Sequence, residues 1–482
     1  MIIQSPGTSN NITMTHCSET ELASKAPNTC KLSDNFLQCY DFRGQLKSTV
    51  TLDNVVCILP PKDEQVKENY TLLHVQKNHE HESPGLVHET RLQSIPLLAP
   101  SRELLSQYLL AETPHHFDPL DNNRNIHIVI STLSGTCTAL DFFNCVLKPL
   151  LAEIGSSHYE THETSSAQTI TELCLSKFIP CAKAGLAQTI VLLSGDGGLT
   201  DIVDSFHQST ENVLVSPDIA LIPTGTGNAM ANSLEISSNS MASLVTLLRG
   251  KPTGIPVFSA KFSPGTHRIS GEDCVNNSVN RDSTEDKYLR VYGAVVASWG
   301  LHASLVADSD TVEYRAYGSD RFKMAAKELL YPSDGSESHR YRGTITTTKV
   351  ESQGQKGTEI LRQYEHMYVL VTLVPKLEKN FMISPSSIPL GGSLRMIHFG
   401  PVLPERAMDL MAMAYKGGGH VCEGEVFYSD IEGLRIDFQE ADKRWRRVCI
   451  DGKVFVVEHG GWMEIHKEPR CLLNVFSPVT KK

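Results

Sequence analysis

The stretch Ile190-Val191-Leu192-Leu193-Ser194-Gly195-Asp196-Gly197-Gly198-Leu199-Thr200-Asp201 constrains the fold more than any other. Ile190 to Leu193 runs without polar interruption, the pattern of a strand buried on both faces of a parallel sheet, whereas Leu199, Ile202, Val203 and Phe206 recur at helical spacing. The residues between them therefore form a strand-to-helix turn. Its glycines permit positive φ and close ligand approach, and the helix N-terminus offers unpaired N–H groups and a positive dipole end to phosphate. Ser194, Gly195, Gly197 and Gly198 are candidate phosphate contacts on these grounds. Asp196 lies among them. A carboxylate facing phosphate is repulsive unless it holds a cation or takes a proton, so Asp196 is the candidate catalytic residue and the turn points to phosphoryl chemistry. An ordinary strand-turn-helix corner is the competing reading of this stretch taken alone.

A second loop of the same kind follows. Asp218 to Ile222 reads as a strand, and Pro223-Thr224-Gly225-Thr226-Gly227-Asn228 turns into the short apolar stretch Ala229 to Leu234. Glycine loops ending neighbouring strands converge at the carboxyl edge of an open α/β sheet, where ligands bind, which adds Gly225, Thr226, Gly227 and Asn228 to the candidate nucleotide contacts. From Ile126 to about Arg249 strands and helices alternate, predicting a parallel sheet with helices on both faces. Beyond Gly254 the character changes. Strand-like runs at Gly254–Phe262, Tyr288–Ser298, Tyr341–Val350, His366–Val374, Leu394–Phe399 and Leu434–Phe438, with a hairpin at Asp451-Gly452, predict a β-sandwich-type second domain. Pro264–Lys287 and Glu351–Gln363 read as polar surface loops.

The remaining bounds are broader. Residues 1–35 are rich in Ser, Thr and Asn and read as a disordered tail; residues 36–123 hold short β-like runs and a connecting helix from Ser101 to Leu110, with Ser101 as its N-cap. The α/β region then spans 124–250 and the β region 251–482. A net charge of −11 argues against bulk nucleic-acid binding and a polybasic membrane anchor. Neither a secretory leader nor an apolar stretch of membrane-spanning length is visible. The twelve cysteines are scattered singly, without a C-x-x-C pair, which suits reduced thiols in a cytoplasmic protein. Cys137, near the first loop of the sheet, reads as a small buried hydrophobe. The alternation His79-Glu80-His81-Glu82 reads as a solvated loop rather than a metal site, because it supplies no closed ligand set.

The two glycine motifs, Ser-Gly-Asp-Gly and Pro-Thr-Gly-Thr-Gly-Asn-Ala, resemble those of the catalytic domain shared by diacylglycerol, sphingosine and ceramide kinases. NAD kinases carry a motif related to the first. Ser298-Trp299-Gly300 followed by Tyr314-Arg315-Ala316-Tyr317-Gly318-Ser319-Asp320-Arg321-Phe322 is similar to the sphingosine-kinase pattern Ser-Trp-Gly, then Tyr-Arg-x-x-Gly-x-x-Arg-Phe. Cys449-Ile450-Asp451-Gly452 resembles the family's Ile-Asp-Gly-Glu, with Lys453 at the glutamate position. The loop after the first strand departs further. Ser131, Thr132 and Leu133 stand where the family has Asn, Pro and a basic residue, while Ser134 and Gly135 match a family variant.

The resemblance implies an ATP-dependent, Mg²⁺-assisted lipid kinase that transfers a γ-phosphoryl group to a lipid primary hydroxyl. Its implied substrate is a sphingoid base, the alternatives being diacylglycerol, ceramide, or a catalytically silent lipid-binding role. It implies a parallel α/β nucleotide-binding sheet followed by a β-sandwich-type lipid domain, and peripheral association with membranes. Ser134, Gly135, Thr161, Arg315, Arg321, Asp451 and Gly452 are the implied nucleotide-side residues. Asp308 matches the carboxylate that meets a sphingoid ammonium, with Asp310 as a competing assignment. Met408, Leu410, Met411, Met413 and Ala414 fit either a lipid-tail pocket or ordinary core packing.

Overall fold

The computed structural model describes residues 28–479 except 63–67, 78–89, 119, 120, 122, 133, 136, 210, 211, 238–240, 270–287, 311–313, 315, 316, 318, 319 and 351–354. They fall into two compact units, one within residues 1–84 and 91–112, the other within 85–90 and 113–482. The expectations placed on His79 to Glu82, Leu133 and Arg315 lie outside the described residues.

In the first unit, strands β1 (Thr29–Ser33), β2 (Phe36–Tyr40) and β3 (Leu46–Thr51) form one sheet, and β4 (Val55–Leu59), β5 (Asn69–Lys77) and β6 (Thr90–Leu98) a second. Residues 29–33 are thus structured, contrary to the tail expected through residue 35, because every residue of β1 has a register partner in β2. Leu37, Cys39, Val50, Ile58, Leu72 and Leu97 are buried together with Leu104 of the helix Arg102–Tyr108. That helix starts at Ser101, whose hydroxyl accepts from Leu104 N–H at 3.2 Å, satisfying one of the donors a helix start leaves orphaned.

The second unit opens with a six-stranded sheet. Four strands come from the βα alternation: β7 (Arg124–Ile130), β8 (Glu160–Glu163), β9 (Ala187–Ser194) and β10 (Asp218–Pro223), all paired in parallel, in the order β10-β9-β7-β8. Residues 126–130 and 188–194 are buried throughout, as parallel strands covered on both faces require. The chain goes from β7 outward to β8 and returns to β9 on the other side of β7, so a topological switch point lies beside β7. The sheet is completed by β11 (Lys251–Gly254) and by Asn474–Ser477, which inserts between β11 and β10, parallel to β10 and antiparallel to β11. This last strand corrects the assignment of all residues after 250 to a β region. A four-residue strand near the chain end carries too little pattern to reveal which sheet it joins.

Between β11 and that returning strand lie two seven-stranded sheets whose pairings are all antiparallel. Tyr341–Val350 and Leu394–Phe399 form strands at the bounds read from alternation. Lys356–Ile360, expected within a loop, instead makes a hairpin with Tyr341–Val350. One apolar cluster draws Phe258, Ile345 and Ile436 from the first sheet and Trp299, Val371 and Phe455 from the second. Trp299 is fully buried in it, edge-on to Tyr341 and Phe438, and its indole N–H donates to Trp445 O at 2.8 Å, so the one polar atom of a large apolar side chain is satisfied. Among the described residues, no helix is long and apolar enough to cross a membrane.

Candidate active site

Three loops leave the carboxyl ends of β7, β9 and β10, and their backbones interlock. A Cβ at Gly135 would lie 2.3 Å from Thr224 O; one at Gly195 would lie 2.6 Å from Gly227 O; one at Gly225 would lie 2.3 Å from Gly195 Cα. Only glycine permits these approaches. Gly135 also needs it for its conformation, with φ at +58°. Hydrogen bonds close the assembly: Ser131 N–H donates to Leu193 O (2.9 Å), Thr224 N–H to Ser194 O (3.2 Å), and Asp196 N–H to Gly227 O (3.0 Å). The first, second and third loops therefore form one cradle at the switch point.

The departures in the first loop are absorbed locally. Ser131 is buried and its hydroxyl donates to Ser194 Oγ at 2.8 Å. Thr132 donates through its N–H to Thr164 Oγ1 (3.2 Å) and through its hydroxyl to Thr164 O (2.7 Å). A proline at 132 has no N–H and could not make the first of these bonds. Ser134 donates to Ser131 O at 3.2 Å. Cys137 is exposed, with φ at +59°, and corrects the expectation of a buried thiol: it lies in the turn that leads into the helix beginning at Ala139, outside the core.

Asp196 is the first residue of the helix Asp196–Gln208 and also serves a second helix. Its Oδ2 accepts from Ala229 N–H at 2.6 Å and its Oδ1 from Met230 N–H at 3.1 Å, the start of Ala229–Ser233. The carboxylate thus ties the second loop to the end of the third. The residue is partly exposed at the rim yet densely surrounded by protein, and this desolvation pushes its pKa up to about 6. The two N–H groups oppose that rise, and the nearby Asp451 carboxyl adds to it. Each oxygen keeps acceptor capacity beyond its one backbone bond.

Gly197 is exposed with nothing within 4 Å of where a Cβ would stand, so the backbone is open to a ligand there. Gly198 is tight against Ser194 Oγ (2.6 Å) and serves packing. Thr226 and Gly227 are exposed on the third loop, and Asn228 Nδ2 donates to Gly225 O at 2.7 Å, shaping it. Ser194, Gly195, Asp196 and Asn228 line a small cleft whose apolar wall includes Leu199 and Leu221. A larger hollow lies where β7 begins, lined by Phe117, Asp118, Asp121 and Arg124, at the end of the strand opposite the glycine loops.

Other sequence candidates sit elsewhere. Thr161 is exposed on the edge strand β8, opposite Ile128 in register. Asp451 and Gly452, at φ +47° and +83°, form the turn of the hairpin Arg447–Ile450/Lys453–Val456, as Asp-Gly predicts. The Asp451 side chain, however, turns inward. Its Oδ1 accepts from Val295 and Val296 N–H (3.1 and 2.6 Å) and its Oδ2 from Ala294 N–H and Thr200 Oγ1 (2.7 and 3.3 Å). Three backbone N–H groups thus engage this buried carboxylate, with the Thr200 hydroxyl, whose one proton also faces Asp196 O, as a fourth neighbour. Burial raises its pKa, and the three backbone N–H groups pull it back. Lys453, at the family's glutamate position, pairs with Asp201 at 2.7 Å.

Arg321, on the helix Asp320–Leu330, pairs with Asp310 at 3.6 Å, and its buried Nε has no hydrogen-bond partner. Among the described residues none of its bonds goes to the glycine loops. Asp308 is held by Arg447 (2.7 Å) and Arg444 (3.2 Å), so its charge is already compensated twice. The helix Pro404–Tyr415 buries Ala407, Leu410 and Ala414, while Met408 stands exposed. Sequence reasoning missed Thr200, which joins Asp196 to Asp451: its hydroxyl lies within hydrogen-bond distance of both Asp196 O (2.9 Å) and Asp451 Oδ2. Its position one helical turn after Asp196 was the available signal.

Residues 125–260 match the family described as the diacylglycerol kinase catalytic domain. No curated protein matches. Similar solved structures include a diacylglycerol kinase from Bacillus anthracis, 12% identical over 73% of this chain and 97% of that one, with a TM-score of 0.45. Yeast NADH kinase complexed with NADH is 11% identical over 74% of this chain and 85% of its own, with a TM-score of 0.36.

Proposed function

We propose that the chain is an ATP-dependent lipid kinase that transfers the γ-phosphoryl group to the primary hydroxyl of a neutral, diacylglycerol-type lipid. The observation that carries this reading is the cradle itself, three interlocked glycine loops with the single carboxylate of Asp196 at their rim, within a region of diacylglycerol kinase type. Exposed backbone at Gly197, Thr226 and Gly227 suits a polyphosphate, which is bound by N–H groups and the helix start. Asp196, with a pKa near working pH, accepts the proton of the lipid hydroxyl as its oxygen bonds to the γ-phosphorus and the bond to ADP breaks. Magnesium bound with ATP supplies charge neutralisation at the phosphates, and Asp196 is the cradle carboxylate with acceptor capacity to face it.

The ion pairs of Asp308 support this acceptor. A sphingoid ammonium would have to displace Arg447 or Arg444 from this carboxylate, whereas a neutral glycerolipid asks nothing of it. Labelled ATP with diacylglycerol, sphingoid base and ceramide in mixed micelles tests both parts. Label is expected in diacylglycerol. Label in the sphingoid base overturns the acceptor assignment, and no labelled lipid at all overturns the kinase in favour of a silent lipid-binding protein.

A further inference from the structure

His127, Glu160 and His162 form a cluster that the phosphoryl site does not use. Their placement follows from sheet geometry. Glu160 and His162 are two apart on the edge strand β8 and share one face, and parallel pairing brings His127 of β7 beside them, in register with Glu160. His127 Nδ1 lies 3.2 Å from His162 Nε2; Glu160 Oε2 lies 3.7 Å from His162 Nε2 and 4.0 Å from His127 Nδ1. A circle through three points so spaced has a radius of about 2.1 Å, the bond length of zinc to imidazole nitrogen and carboxylate oxygen.

We propose that these three residues are a divalent-metal site of zinc type, with two imidazoles and one carboxylate as ligands and a fourth position open to water. Borderline-soft nitrogen donors with one oxygen favour zinc over magnesium or calcium, which take oxygen sets. Phe178 packs on both rings, with centroids 5.0 Å from His127 and 6.2 Å from His162, which holds the imidazoles in place. His127 and His162 are 5% and 10% exposed in their side chains, while Glu160 is 57% exposed and gives the ion a route in from solvent. The Lys177 ammonium pairs with Glu160 and supplies a positive charge there. The ion replaces that ammonium on the carboxylate. Thr164, two residues beyond His162, holds Thr132 of the first glycine loop, so a metal on β8 stiffens the strand end on which that loop hangs.

The test is zinc titration of chelator-treated full-length protein by calorimetry, with cobalt substitution read by visible absorption. Wild type is expected to bind one ion at this site and to give the intense visible bands of low-coordinate cobalt. Glu160→Gln and His162→Gln are each expected to weaken binding at least tenfold, the scale on which metal sites respond to loss of a supporting group. Lys177→Met is expected to tighten it, because the competing ammonium is gone, a result that a general loss of folding cannot imitate. Absence of zinc binding by wild type, or equal affinity and stoichiometry in wild type and the Glu160→Gln/His162→Gln double variant, overturns the proposal.

Discussion

Lys453 Nζ lies 2.7 Å from Asp201 Oδ1, joining the hairpin at Asp451-Gly452 to the helix that begins with Asp196. Both side chains are mostly buried, at 10% and 18% exposure, so neither charge has water to fall back on. Lys453→Glu, which restores the family's residue, would set two carboxylates against each other. It should lower unfolding free energy by about 3 kcal/mol, the scale of breaking a buried pair from one side. Denaturant melts of Lys453→Glu, Asp201→Lys and the double variant check this, the double variant being expected to recover part of the loss. Equal stability of wild type and Lys453→Glu would dispose of the pair as a structural link.

The interlocking of the loops separates two kinds of glycine. At Gly225 an added methyl meets Gly195 Cα at 2.3 Å, so Gly225→Ala should cost about 1–3 kcal/mol of stability and weaken nucleotide binding with it. At Gly197 the space is open, so Gly197→Ala should leave the melting temperature unchanged or raise it, yet still weaken ATP binding by obstructing backbone approach. Thermal melts and nucleotide titration of the two variants measure the split. Full ATP affinity in Gly197→Ala would remove that backbone from the phosphate site.

Asp451 and Asp196 belong to one connected network but have different duties. With three backbone N–H groups converging on it, Asp451→Asn places an amide N–H₂ against N–H groups and should cost about 2–3 kcal/mol, a lost buried acceptor with charge. The magnesium concentration giving half-maximal rate should not move. A shift in that concentration without loss of stability would make Asp451 a cation ligand after all.

Proton linkage at Asp196 has a definite sign. Its pKa rises from 3.8 to about 6 on folding, so the folded chain holds this proton more tightly than the unfolded one. The stability it contributes is fully present below pH 3.8 and is lost as pH rises through about 6. Activity runs the other way. Transfer needs the ionised form, so kcat/KM should rise about tenfold per pH unit below 6 and level off above it. A pH-rate profile flat from 5 to 7 would mean that another group takes the proton.

Local pattern made the central strands, the helix after Asp196, the cap at Ser101 and the Asp-Gly hairpin legible, because uninterrupted apolar runs, helical spacing and turn chemistry are short-range signals. The glycine loops were legible as loops. That Gly135, Gly195 and Gly225 touch one another was not, since residues up to 90 positions apart meet there. Asn474–Ser477 was missed for the same reason: its partners, Asp218–Pro223 and Lys251–Gly254, lie hundreds of residues upstream. The pairing of Asp308 with Arg444 and Arg447 was not legible, because a carboxylate at a suggestive offset says nothing about the arginines that a distant turn brings to it.

The most direct test compares wild type with Asp196→Asn in phosphoryl transfer from labelled ATP to diacylglycerol, with ATP binding measured on the same preparations. The account predicts that transfer falls by about a hundredfold or more while ATP is still bound, the melting temperature dropping only by the loss of one of the two backbone N–H bonds that the Asp196 carboxylate accepts. Unreduced transfer by Asp196→Asn would contradict it and move the chemistry away from the cradle rim.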